Sequence, residues 1–253
     1  LLEPIRERFH VPEHPQPESL FSIQFAAPYT IALPARILGI GTPWAFTLAG
    51  AIAAFLAAFA VFWIARMIVP NDWFAMAASL VTLVGGAVFA GEGAMSEVFF
   101  GGFSYPYFPG FRRYIPALAF PAFFLFVGYI YKLLSNDERE DAAKWPSVAV
   151  AIAAFAYCVF SYFYVWTTAV AWAGCFGLLF IFFLPGAFKR GWLAISAAAA
   201  GCGIALIPYA LLLSRRSTTM DEVQLLSATH ASDLSRPPEY VAALVVIVIV
   251  VGL

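Results

Sequence analysis

Six stretches of almost unbroken apolar sequence follow one another along this chain: Pro43–Val69, Trp73–Gly91, Tyr114–Leu134, Ser147–Val165, Thr168–Phe188 and Trp192–Leu213. Each is long enough for a helix to cross about 30 Å of hydrocarbon at about 1.5 Å per residue. Lipid offers backbone polar groups no partners, so spans of this kind must be helices. The alternating segments of about 10 residues that mark barrel strands are absent. Ser147–Phe188 is nearly continuous, and its aromatic and hydroxyl residues predict an interface turn near Tyr164–Thr168. A further run begins at Tyr240 and stops at Leu253 after 14 residues, short of the roughly 20 that a span needs. The chain also starts at Leu1 rather than at Met. The expectation is therefore a piece of a longer protein, with a truncated seventh span and at least one more ahead of Leu1.

Ser22–Gly41 is apolar but carries Pro28, Pro34 and Arg36. Two prolines and a charge suit a helix lying along the membrane surface better than an ordinary span; a kinked span is the alternative. The predicted fold class is all-α: a polytopic transmembrane bundle of about six full spans plus a truncated seventh, with an interfacial helix near the start. Residues 1–42 form an exported loop with that helix, and 43–253 form the transmembrane domain.

The connections alternate in length. Leu1–Thr42, Glu92–Arg113 and Ser214–Glu239 are long; Pro70–Asp72, Ser135–Pro146 and Lys189–Gly191 are short. Alternation of spans puts each set on one face. The short set carries Arg66, Lys132, Arg139, Lys144, Lys189 and Arg190 at the higher density, which places it in the cytoplasm and the long loops outside.

Composition agrees with lipid burial. The chain is 62% hydrophobic and 11% charged, with a mean hydropathy of +0.84, against roughly 25% charged residues in soluble domains. The net charge of −1 points to no acidic polymer as partner. Cys158, Cys175 and Cys202 each sit inside an apolar run and read as small buried hydrophobes. No zinc spacing, phosphate loop or nucleophile elbow occurs.

Candidate chemistry concentrates in the long loops. Glu92–Pro116 reads EGAMSEVFFGGFSYPYFPGFRRYIP. It opens with Glu92 and Glu97 and closes with Arg112 and Arg113 at the start of a helix. An arginine fork suits phosphate oxygens, and a helix N-terminus adds N–H groups. Tyr105, Tyr107 and Phe108 could stack on a sugar or line a lipid path. The alternative is an interfacial aromatic belt with arginines on ordinary lipid phosphates. The last loop gathers Arg215, Arg216, Asp221, Glu222, His230, Asp233 and Arg236, with His230 and Asp233 spaced to share a proton or metal, or simply to face solvent. The first loop carries Glu3, Arg6, Glu7, Arg8, His10, Glu13 and His14; the helix-spaced Glu3, Arg6 and Glu7 also suit exposed ion pairs.

Long exported loops, short cytoplasmic turns, an interfacial helix after the first loop, and the stretches FRRYIP and YFYVWTT together resemble the GT-C membrane glycosyltransferases. The resemblance implies a multi-pass protein of the bacterial inner membrane that moves a sugar from a polyprenyl-phosphate donor on the exported face. It implies a carboxylate as base or metal ligand, with Glu92, Glu97, Glu3 and Glu7 as candidates. It implies arginines on the substrate phosphate, with Arg112, Arg113, Arg215 and Arg216 as candidates. Tyr105 and Tyr107 would contact sugar or lipid, and a divalent metal is a possible cofactor. The lipid bilayer and a lipid-linked sugar donor are the expected partners, with no nucleic acid. A transporter or flippase of lipid-linked material is the rival reading, and a non-catalytic scaffold the third. Spans nearly free of charge weigh against transport.

The alternation predicts that Ser104 and Ser227 lie on one side of the membrane. In intact cells, Ser104→Cys and Ser227→Cys should both react with an impermeant thiol reagent; labelling of one alone would break the topology.

Overall fold

A computed structural model of the chain describes residues 24–85, 114–135, 144–183 and 185–214. The elements among them are all helical. They are α1 (Ala26–Leu38), α2 (Thr42–Ile68), α3 (Asp72–Leu80), α4 (Tyr114–Ser135), α5 (Lys144–Ser161), α6 (Phe163–Phe183) and α7 (Pro185–Ser214). Among the described residues, five helical stretches are long and apolar enough to cross a membrane: Thr42–Ile68, Ala117–Leu134, Lys144–Ser161, Phe163–Phe183 and Gly191–Ser214. The predicted span Trp73–Gly91 is described only as far as Gly85, as nine residues of α-helix followed by five in π-helical pairing. Its remainder, and the run from Tyr240, lie outside the described residues.

Direction follows from side-chain contacts. Phe126 meets Phe155 with ring centroids 5.5 Å apart, and Cys158 Sγ approaches the Ala119 carbonyl at 3.7 Å. α4 and α5 are therefore antiparallel. Phe120 and Phe123 share a cavity with Val165 and Thr168, whereas Tyr131 meets Phe176 at 6.1 Å. α6 thus runs with α4 and against α5. Gly191, in the second turn of α7, lies beside Leu133, and the helix reaches Trp166 through Tyr209, centroids 5.4 Å apart. It runs with α5. On the other flank Trp63 of α2 packs on Tyr129 at 5.0 Å. Ser79 of α3 donates to the Ala58 carbonyl of α2 at 2.8 Å, so these two form a hairpin.

The bundle therefore has two ends. One holds the α2–α3 turn, where Arg66 Nε pairs with Asp72 Oδ1 at 2.9 Å and Asn71 accepts from the Phe74 N–H at 3.1 Å. Lys132 near the end of α4 and Lys144 at the start of α5 lie at this same end. The other end holds the start of α4, the end of α7 and the α5–α6 reversal. We refer to them as the Arg66 end and the Tyr162 end.

Two connections differ from expectation. The predicted turn at Tyr164–Thr168 falls earlier, at Tyr162, and Tyr164 to Thr168 belong to α6. Thr167 and Thr168 turn their hydroxyls back onto the carbonyls of Phe163 and Tyr164 instead of opening the helix. The predicted connector Lys189–Gly191 is also helical, because α7 starts at Pro185. Proline fits the first turn of a helix, where its missing N–H has no intrahelical acceptor.

Packing is inverted relative to a soluble protein. Ala53, Ala57, Val61 and Ala65 of α2 recur every fourth residue and are buried, while Ile52, Phe55 and Phe59 point outward. Phe182, Phe183 and Leu193 are each more than 70% exposed. Small residues inside let backbones approach, and large ones outside meet lipid. Between α4 and α5 the buried alanines Ala119, Ala122, Ala151 and Ala154 do the same around Phe126, Phe155 and Val159.

α1 has 13 residues, a rise of about 20 Å that falls short of the hydrocarbon thickness. Pro28 sits in its first turn, and Pro34 lies inside it at the cost of one hydrogen bond. It ends on Gly39 at φ 66°, and the Ile40 N–H reaches back to the Ala35 carbonyl at 2.9 Å. That left-handed closure is the reason for glycine here.

α2 and α4 approach closely at Gly128. A Cβ there would run into Trp63 Cζ3, with Ile64 Cγ1 at 3.0 Å. Gly128→Val should therefore separate α2 from α4 and destabilise the bundle by about 1–3 kcal/mol, measured by unfolding in mixed micelles. An unchanged midpoint would show that α2 does not pack against α4 in this way.

Candidate functional site at the α5–α6 hairpin

The reversal at Tyr162 takes place with a single residue between helices. The Tyr162 N–H completes α5 by bonding to the Cys158 carbonyl at 3.0 Å. Its own carbonyl opens α6 by accepting from Val165 at 3.2 Å and Trp166 at 3.3 Å. One residue thus serves both helix ends, which leaves little backbone unsatisfied in an apolar setting.

Aromatic rings fill the hairpin. Tyr162 lies 5.6 Å from Tyr164, Phe163 stands edge-on to Trp166 at 5.6 Å, and Trp166 stands edge-on to Tyr209 of α7. Next to them lies a half-open cavity of about 130 Å³, lined by Phe120, Phe123, Tyr162, Tyr164, Val165 and Thr168. Its walls are almost wholly apolar. One turn before the reversal, Tyr157 and Thr30 of α1 share a hydrogen bond of 2.9 Å. Thr30 already donates to the Ala26 carbonyl at 2.8 Å, so the phenol donates to Thr30. Phe25 adds a ring contact of 5.1 Å with Phe160. The buried Trp166 Nε1 at the hairpin has no hydrogen-bond partner among the described residues.

This end of the bundle can therefore receive an apolar body beside a band of phenol, indole and hydroxyl groups. The hairpin itself, 157–168, holds no charge. Among the described residues the charged side chains are Arg36, Arg66, Asp72, Lys132, Lys144, Lys189 and Arg190, and none belongs to the hairpin. No group of three or more His, Cys, Asp or Glu comes together among the described residues.

The residues singled out by the sequence, Glu3, Glu7, Glu92, Glu97, Tyr105, Tyr107, Arg112, Arg113, Arg215 and Arg216, all lie outside the described residues. Their attachment points are described. Arg113 directly precedes α4, Arg215 directly follows α7, and both of those helix termini are at the Tyr162 end. Sequence reasoning marked Tyr164–Thr168 as an interface turn but gave no site role to Tyr157, Ser161, Tyr162, Trp166 or Tyr209. The available signal was clustering: tyrosine, threonine and serine hydroxyls are crowded into 157–168 of an apolar run.

The fold and the hairpin define a class, an all-helical bundle suited to a multi-pass membrane protein. Comparison with known proteins yields no match to any family model, curated protein or solved structure.

The unpartnered indole makes a stability prediction. Trp166→Phe keeps a ring against Tyr209 and removes a buried donor, so it should change stability by less than about 1 kcal/mol. Trp166→Ala opens a cavity and should cost about 3 kcal/mol or more. Equal losses in the two variants, by thermal unfolding, would mean that the N–H has a partner in the working protein.

Proposed function

We propose that this chain is the membrane domain of a GT-C-type glycosyltransferase that moves a sugar from a polyprenyl-phosphate donor. The observation that carries this reading is the arrangement of the Tyr162 end. An apolar, aromatic-walled cavity lined by α4, Tyr162 and α6 opens there, at the same end of the bundle as the helix termini next to Arg113 and Arg215. A lipid-linked sugar needs an apolar seat for its chain, cations for its phosphate, and a carboxylate near its sugar.

Division of labour follows from charge. The hairpin carries no acid or base, so the chemistry falls to the adjoining long segments. In the proposed step, Glu92 or Glu97 takes the proton of an acceptor hydroxyl. The hydroxyl oxygen attacks the anomeric carbon, and the bond from that carbon to the phosphate oxygen breaks. Polyprenyl phosphate leaves with the electron pair, its charge stabilised by Arg112 and Arg113. Glu3 and Glu7 are the further candidates for the base, and Arg215 and Arg216 for the phosphate. Tyr105 and Tyr107 would flank the sugar.

Arginine and lysine separate a bidentate phosphate contact from simple charge. Arg112→Lys or Arg113→Lys should lose most activity in a lipid-linked sugar transfer assay of the full-length protein, with insertion unchanged. Full activity in the double lysine variant would remove the phosphate contact and leave the pair as a headgroup anchor.

A further inference from the structure

α4 and α6 run side by side, and a ladder of rings shows where they meet. On α6, Val165, Thr168, Trp172 and Phe176 recur every three or four residues and so share one face. Trp172 stacks on Phe176 at 4.7 Å, and Phe176 reaches Phe180 at 4.9 Å and Tyr131 of α4 at 6.1 Å. The helices are thus closed on each other at Tyr131 and Phe176, toward the Arg66 end. Two turns nearer the Tyr162 end they part. The cavity of about 130 Å³ fills the gap, with Phe120 and Phe123 on one wall and Val165 and Thr168 on the other. It is a short hollow that does not continue past the Tyr131–Phe176 contact.

Size and chemistry narrow the occupant. A cavity of about 150 Å³ admits a benzene-sized body, so this one takes roughly five or six carbons. A sugar is excluded by its hydroxyls, which need partners. Thr168 Oγ1 already donates to the Tyr164 carbonyl at 2.7 Å, and apart from the tyrosine phenols the walls are hydrocarbon. A linear acyl chain is long and thin; in a compact hollow it would leave space unfilled and lose dispersion contacts. An isoprene unit is compact, methyl-branched and flat at its double bond, and it can lie against the rings of Phe120 and Phe123. Depth selects which unit. Tyr162, Tyr164 and Trp166 form the belt of a membrane–water boundary at this end, so the unit held here is the one that carries the phosphate. With the helices closed below, the rest of the chain must leave sideways into lipid.

We infer that the α4–α6 cavity holds a single isoprene unit of a polyprenyl phosphate, the one next to the phosphate, while the remaining units lie in the bilayer. The identity of the lipid rests on the proposed transferase reading. The cavity adds a selection rule to it: the shape of the first unit decides binding, and total chain length does not.

The test reads binding rather than transfer. Thr168 is exposed and lines the cavity, so Thr168→Cys is placed in the full-length protein together with Cys175→Ala and Cys202→Ala; Cys158 is fully buried and remains. Alkylation of Thr168→Cys by N-ethylmaleimide in detergent micelles is followed by mass spectrometry of the modified peptide. Geranyl phosphate should slow it at least five-fold. Decyl phosphate, with the same number of carbons in a linear chain, should leave it near the unprotected rate. Farnesyl phosphate should half-protect at the same mole fraction in the micelle as geranyl phosphate, within about three-fold. Val165→Phe, which fills the cavity, should abolish protection; the comparison of probes in the parent stands by itself if that variant fails to fold. Four results overturn the inference: no protection by any probe, equal protection by decyl phosphate, protection that rises more than ten-fold with the longer isoprenoid, or protection that survives Val165→Phe. Sugar transfer without protection would sink this site and leave the transferase reading intact. Protection without sugar transfer would keep the site and sink the transferase reading.

Discussion

Backbone N–H and C=O groups have no water to fall back on inside hydrocarbon, and the whole bundle is arranged around that constraint. It is most visible at Tyr162. Two helices long enough to span reverse direction with one residue between them, and that residue gives its N–H to α5 and its carbonyl to α6. A longer loop would need more polar backbone to be hydrated at that depth. The sharpness of the turn crowds Tyr162, Phe163, Tyr164 and Trp166 into one place, and the crowding creates the aromatic end of the molecule.

Helix approach obeys a second consequence of the same medium. Burial of large apolar groups drives little association when lipid is as apolar as leucine, so close fit must supply the attraction. α2 accordingly buries alanines and turns its phenylalanines outward. Gly128 gives Trp63 the space to lie against α4, and Gly201 takes Ile152 of α5 in the same way. At the Tyr162 end Trp166, Tyr209, Tyr162 and Tyr164 form the kind of belt that favours a membrane–water boundary.

Sequence pattern made much of this legible, and the misses have physical reasons. Helical class follows from apolar length alone, because lipid permits few other structures. The shortness of α1 was signalled by Pro28, Pro34 and Arg36. The α5–α6 turn was placed a few residues late because nothing punctuates the run: no glycine, proline or charge lies between Ser147 and Val165, and the threonines that suggested a turn are satisfied within α6. The connector at Lys189–Gly191 was missed because a charged pair can continue a helix beyond the hydrocarbon as readily as end it. The candidate carboxylates and phosphate-binding arginines were chosen for their chemistry, and they lie in segments outside the described residues. What the described structure adds is the end of the bundle from which the 113 and 215 positions depart, and the uncharged hairpin beside them.

On the proposed reading, the spans supply an apolar seat and the long segments supply acid, base and cation. The most direct test follows the fate of a polyprenyl-phosphate donor carrying an isotopically labelled sugar. The full-length protein would be reconstituted in sealed vesicles, with membrane extract as the source of acceptor. The account predicts protein-dependent release of polyprenyl phosphate, with the label leaving the lipid. A donor that stays intact while its headgroup moves to the opposite leaflet would contradict it and make the protein a transporter.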